Sequence, residues 1–126
     1  MIPLLAANAL APDDDVERLS KAAIACDRPA ISRAWGEEVK RHSGFLIAAL
    51  RDQAAIVADR QALVERRHKS RGTGPVESET VLAAVSADLD ERQRAADDQR
   101  RLDTMRQETV TYFRQLFITQ CNGRDL

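Results

Sequence analysis

Apolar residues recur every three or four positions in three stretches of the chain, which is the spacing of amphipathic helices. The first stretch is short and places Val16, Leu19, Ala23 and Cys26 on one face. The other two are much longer, and a turn-rich segment at residues 71–75 separates them. The pattern predicts helices over about residues 13–27, 29–70 and 76–120. With few turn residues and few aromatic residues elsewhere, it indicates an all-α fold.

The second stretch alternates steps of four and three between its apolar positions, which is the heptad spacing of a coiled coil. Leu50, Val57 and Val64 lie beside these heptad positions and widen the apolar face of the helix, called the heptad face, on one side. Gly36 and Gly44 weaken a helix, so a break near Gly44 into two shorter helices stays open. The heptad positions are Trp35, Val39, His42, Leu46, Ala49, Gln53, Ile56, Arg60 and Leu63.

Local signals mark the ends of the predicted helices. Asp27 can cap the second helix, and Pro29 is tolerated in its first turn. The segment 71–75 is the clearest turn, because its two glycines allow unusual backbone angles and Pro75 suits the start of the third helix. Asn122, followed by a glycine, is typical of a helix end.

Two long helices joined by a short turn predict a long antiparallel hairpin with coiled-coil-like packing. If the turn lies near Gly74, Leu50 opposes Asp98 and Trp35 opposes Phe113. The short first helix then packs at the open end of the hairpin, where the aromatic residues gather and a three-helix core is expected. Cys26 and Cys121 fall near the same end. We predict one helical domain over residues 13–126, preceded by an apolar arm at residues 1–12.

Charge narrows the possible classes of function. Nineteen Lys and Arg residues against twenty Asp and Glu residues give a net charge of −1, unlike a dedicated nucleic-acid binder. Arginine and acidic residues alternate from Asp88 to Glu108, which predicts a solvated, poorly buried helix with local ion pairs.

The N-terminal apolar run is too short to span a membrane and has no basic residue before it, so we interpret it as an arm rather than a targeting peptide. No other segment is apolar enough to cross a membrane. The chain has two cysteines and no CxxC pattern, which predicts a protein of the reducing cytoplasm.

The heptad face is wider than the middle of the third helix can cover, because that helix has few large apolar residues there. We therefore expect self-association, as a dimer, or packing on another protein. The candidate partner-binding surface includes aromatic residues, which are also typical of a protein core, and that alternative is open. The candidate partner-binding residues are Trp35, Leu46, Leu50, Val57, Tyr112, Phe113 and Phe117.

The strongest charge cluster is the basic run at residues 66–71. The second predicted helix ends here, and the negative end of its dipole stabilises cations. This effect explains most of these basic residues without any ligand. The functional alternative is contact with an anion or a nucleic acid, and the protein would then be a small dimeric nucleic-acid-associated regulator. The candidate contacts are Arg66, Arg67, Lys69 and Arg71.

Glu38 and His42 stand one helical turn apart, a spacing that can bind a metal or orient an imidazole. The one other histidine is His68, in the basic run, so a metal site is not expected. A phosphotransfer histidine at His42 is a further alternative. There is no catalytic triad, Cys/His pair or glycine-rich cofactor loop, and we expect no enzyme activity and no cofactor.

The function expected from these features is that of a non-enzymatic helical adaptor or assembly factor, which presents apolar helix faces to a partner helix. In size and predicted architecture the chain is similar to the small coiled-coil chaperones and stalk proteins of flagellar and type III export systems. That resemblance implies an export-chaperone-like role but assigns no residue.

Overall fold

A computed structural model describes residues 14–72, 74 and 76–122 of the chain. Within these residues there are three helices and no strand: α1, Asp14–Ile24; α2, Arg28–Arg71; and α3, Glu79–Gln120. The two long helices form a hairpin, so the all-α prediction is confirmed. None of the described helices is long and apolar enough to span a membrane. The arm predicted at residues 1–12 lies outside the described part of the chain.

Helix α1 ends in a left-handed residue that is not glycine. Cys26 has a φ of 54°, its amide lies 3.4 Å from the carbonyl of Ala23, and the Asp27 amide donates to the carbonyl of Ala22 at 2.9 Å. This pair of bonds is a Schellman motif, which satisfies carbonyls that the helix leaves free. Asp27 then caps α2 as predicted, because its carboxylate accepts from the Ala30 amide at 3.2 Å.

Helix α2 continues without a break through Gly36 and Gly44, so the alternative of two shorter helices is wrong. Both glycines are exposed, and a side chain at either would meet no atom within 4 Å. Glycine weakens a helix interior but does not end it when neighbouring turns are packed.

The turn between the long helices is built differently from the prediction. Helix α3 begins at Glu79 rather than near Val76, because Ser78 is its cap: the Ser78 hydroxyl accepts from the Thr80 amide at 3.2 Å. Neither Gly72 nor Gly74 has a positive φ. Glycine is instead needed at position 74 because there is no room for a side chain: a Cβ there would lie 2.8 Å from the Cβ of Lys69.

We predict that Gly74→Ala lowers the free energy of unfolding by about 1–3 kcal/mol, because the new methyl group overlaps Lys69. Gly72→Ala is the matched control. A Cβ there would lie 3.5 Å from the nearest atom, the His68 carbonyl oxygen, so the change should stay within about 1 kcal/mol. Urea unfolding followed by circular dichroism compares the two, and equal effects would contradict the packing argument.

The chain divides into two compact units, residues 1–45 with 99–126, called unit 1, and residues 46–98, called unit 2. The core of unit 1 receives side chains from all three helices, as the prediction of a three-helix core requires. Trp35, Phe113 and Cys121 are partly buried against it. The buried members are Leu19, Ala22 and Ala23 of α1, Ile31 and Ala34 of α2, and Val110 and Phe117 of α3.

A disulfide joins Cys26 and Cys121 in unit 1, with their Cα atoms 5.5 Å apart. The prediction that the two residues are neighbours is thus confirmed, but neither is a free thiol. The disulfide therefore connects the end of α1 to the end of α3, and its two cysteines are 95 residues apart in sequence. The cytoplasmic location stays a prediction, and the disulfide counts against it because such bonds persist mainly in oxidising compartments.

We predict that Cys26→Ser with Cys121→Ser lowers the free energy of unfolding by about 3–5 kcal/mol, because the disulfide closes a long loop in the unfolded chain. A reductant should weaken the original protein by the same amount and leave the double variant unchanged. Urea unfolding with and without reductant measures both. Two titratable thiols in the unreduced protein would contradict the prediction.

Unit 2 consists of the C-terminal part of α2, the turn and the first part of α3. Leu63, Leu82 and Leu89 are buried together, with Val85 partly buried against them. A reciprocal amide pair replaces an apolar contact at Gln53. Its Nε2 donates to Gln93 Oε1 at 2.8 Å, and Gln93 Nε2 donates back to Oε1 at 2.9 Å.

Ion pairs from Arg60 to Asp90 and from Arg92 to Asp59 connect the same two helices of unit 2. Each pair joins residues close to the predicted opposition of the two helices. The predicted register is therefore confirmed in this unit.

Candidate functional site

The main polar feature of unit 1 is a buried carboxylate held by three side chains. Glu38 is 2 % exposed. Arg106 of α3 donates two-pronged hydrogen bonds to it, with Nη2 at 2.7 Å from Oε2. Arg41, which lies on α2 like Glu38, donates from Nη2 to Oε1 at 2.7 Å. Gln107 Nε2 donates to Oε1 at 2.8 Å. A buried charge with this many donors is satisfied rather than strained.

Asp103 is the second buried carboxylate of the cluster, at 6 % exposure. Its Oδ1 accepts from Arg41 Nη2 at 2.7 Å, and His42 Nδ1 lies 2.8 Å from its Oδ2. That histidine nitrogen is buried and at ion-pair distance, although it makes no well-directed hydrogen bond. Two carboxylates therefore balance two guanidinium groups, which explains how the cluster is tolerated inside.

The cluster favours ionised Glu38. Burial alone would raise the pKa of Glu38, but the hydrogen bonds from Arg106 and Arg41 outweigh it and hold the pKa below its ordinary value of 4.5. For Arg41, burial opposes the charge, and the hydrogen bonds to Glu38 and Asp103 outweigh that effect and raise its pKa. The arrangement is a structural ion network, because every charged group in it is satisfied by another.

The network corrects two predictions. The middle of the third helix was expected to be solvated, yet Asp103 is buried and only 11 % of the Arg106 side chain is exposed. The heptad face was expected to place Val39 inside, but Glu38 occupies that inward position and Val39 is about half exposed. Glu38 and Arg106 are 68 residues apart, so no local charge pattern could pair them.

We predict that Glu38→Gln lowers the free energy of unfolding by about 3 kcal/mol at neutral pH, because it leaves two guanidinium groups without their shared carboxylate. The sign with pH follows from the lowered pKa. Ionised Glu38 stabilises the fold above the unfolded value of 4.5 and loses that contribution as pH falls through the lower folded value. The difference between variant and original protein should therefore shrink in acid.

The neighbouring Glu37→Gln is the control for this prediction. Glu37 pairs with Arg18 at 3.2 Å in an exposed position, so its loss should cost less than about 1 kcal/mol at any pH. Urea unfolding at several pH values measures both variants. Equal effects of the two substitutions would show that burial of Glu38 has no energetic consequence.

Chemistry at His42 depends on what surrounds it. Among the described residues there is no group of three or more His, Cys, Asp or Glu residues that could hold a metal ion. The Glu38 carboxylate, one turn away from His42, is occupied by arginines rather than turned toward the imidazole. Phosphotransfer through His42 stays a prediction, with Asp103 as the acidic neighbour of its Nδ1.

The main apolar surface of unit 2 lies on α2, and we call it the outer stripe: Ile47, Leu50, Ala54, Val57, Gln61 and Val64. These positions are spaced by steps of three and four and are all exposed. The four large apolar members are exposed by 59 % at Ile47, 74 % at Leu50, 47 % at Val57 and 66 % at Val64. A row of large apolar side chains at heptad spacing is unusual on a surface with no partner.

The other candidate partner-binding residues divide between core and surface. Phe117 is buried in unit 1, and Trp35 and Phe113 are partly buried beside it. The Arg114 guanidinium lies over the Trp35 ring, 4.8 Å from its centroid. Tyr112 is exposed, as are Leu102 and Met105 on the same helix, and Leu46 is exposed in unit 2. The aromatic residues thus belong mainly to the core, and the exposed aliphatic residues remain as the candidate surface.

The basic run at residues 66–71 is partly neutralised within unit 2. Arg66 binds Glu77 through two hydrogen bonds, one of them 2.6 Å long, and Arg67 lies 3.7 Å from Glu79. These acids follow the turn, so the local charge pattern of the basic run did not predict the two pairs. Lys69 and Arg71 are exposed and have no acidic partner in the described part of the chain.

Comparisons of the chain with protein-family models, with curated proteins and with solved structures found no match.

Proposed function

We propose that this protein is a non-enzymatic helical interaction module, an adaptor or assembly factor that acts through the outer stripe of α2. The observation that carries the proposal is the exposure of Ile47, Leu50, Val57 and Val64 in one heptad-spaced row. Covering such a row with another helix removes apolar surface from water, which stabilises the complex by about 25 cal/mol for each Å² buried. An export-chaperone-like role would use the same surface.

A second copy of the chain is the first partner to consider. Unit 2 contains only two helices, so each can cover only part of the other's surface. Packing of two such hairpins into a four-helix arrangement is a common solution to this problem. The nucleic-acid alternative receives less support, because Arg66 and Arg67 are engaged by Glu77 and Glu79.

We predict that Leu50→Glu with Val57→Glu converts a self-associated protein to a monomer, with helix content largely unchanged. Four carboxylates would have to be buried in each dimer, so the dissociation constant should rise by more than about a hundredfold. Sedimentation velocity over a concentration series measures the association, and circular dichroism measures the helix content.

Ala48→Glu with Ala55→Glu is the matched control. It adds the same charges to the same helix at the same spacing, at two exposed positions outside the outer stripe. Association should persist in this variant. A protein that is monomeric before any substitution would overturn the self-association proposal.

A further inference from the structure

We infer that the outer stripe binds the outer stripe of a second copy with the two α2 helices antiparallel, and that Arg51 of each copy pairs with Glu65 of the other. The inference rests on the proposed function and adds the orientation and the specificity-determining residues. It depends on the spacing of the stripe and on the charges beside it, all within unit 2.

An antiparallel arrangement overlaps the outer stripe with itself along its whole length. The stripe begins at Ile47 and ends at Val64, and steps of three and four read the same from either end. Full overlap therefore places the first position of one copy level with the last position of the other. The opposed pairs are then Ile47 with Val64, Leu50 with Gln61, and Ala54 with Val57.

The surface also has a depression where this arrangement needs one. Arg60, Gln61, Val64 and Glu65 line a shallow concavity on α2. Leu50 of the second copy falls level with Gln61 in the antiparallel overlap, and it is the most exposed apolar side chain of the stripe. A projecting leucine opposite a hollow between four side chains is the packing unit of coiled coils.

Arg51 and Glu65 flank the outer stripe on the same side of the helix, in the positions that face a partner helix. Neither makes an ion pair within the described part of the chain. Arg60, by contrast, pairs with Asp90, and Arg67 with Glu79. Arg51 and Glu65 are therefore charges that unit 2 leaves available to a partner.

The antiparallel overlap brings these two charges together twice, once on each side of the two-fold axis. Helical side chains lean toward the N-terminus of their own helix, so Arg51 of one copy and Glu65 of the other lean toward each other. A parallel arrangement would place Arg51 beside Leu46 of the second copy instead. It would pair Glu65 with Arg60, which Asp90 already engages.

Charge exchange tests the inference. Arg51→Glu alone and Glu65→Arg alone should each weaken the dimer roughly tenfold at low salt, because each places two like charges side by side at two points. The two exchanges together should restore the dissociation constant to within a few-fold of the original. Arg51→Lys keeps the charge and should leave the dimer unchanged. Sedimentation equilibrium of the full chain measures all four variants.

The outcomes separate this inference from the proposed function. Restoration in the double variant supports antiparallel pairing, because the two residues are roughly 21 Å apart along one helix and cannot interact within a copy. A dimer that loses affinity with Leu50→Glu but shows additive effects at positions 51 and 65 overturns the orientation alone. A monomeric original protein overturns both the orientation and the self-association proposal, and leaves a different protein as the partner of the outer stripe.

Discussion

The buried carboxylate of Glu38 is the constraint on which unit 1 depends. An ionised side chain that is 2 % exposed must be surrounded by donors, and Arg41, Arg106 and Gln107 supply them. Two of these donors come from α3, so the position of α2 along α3 in this unit is fixed by a directional interaction. Apolar contacts alone specify such a register weakly, because neighbouring turns of two smooth helices are nearly equivalent.

The same constraint decides which side of α2 faces inward. With Glu38 and Arg41 inside, Val39 must turn outward, although it is the more hydrophobic residue. At the other end of the unit, Cys26 contributes both the left-handed end of α1 and the bond to Cys121. Unit 1 therefore has buried ionic and covalent restraints in addition to its apolar core, whereas the helices of unit 2 are joined by a narrow apolar row, one amide pair and ion pairs nearer the surface.

Apolar periodicity and local helix-end signals were sufficient to predict three helices, a hairpin and the register of unit 2, because each depends on residues near one another in sequence or on simple antiparallel geometry. Asp27 as the cap of α2 and Asn122 as a left-handed helix end follow from the same local rules. The ion network could not be predicted in that way. Arg106 and Asp103 look like members of a solvated row until Glu38 is placed against them, and only the folded chain does that.

The outer stripe, unlike the ion network, was partly recognisable from the sequence. Leu50, Val57 and Val64 were recognisable as extra width on the heptad face, and the fold leaves them exposed because α3 covers the neighbouring side of α2. Ile47 joins them only when exposure is considered, since it lies outside the predicted heptad positions. A two-helix unit has buried faces and free faces by necessity, and the proposed role of the outer stripe is to receive a further helix on such a free face.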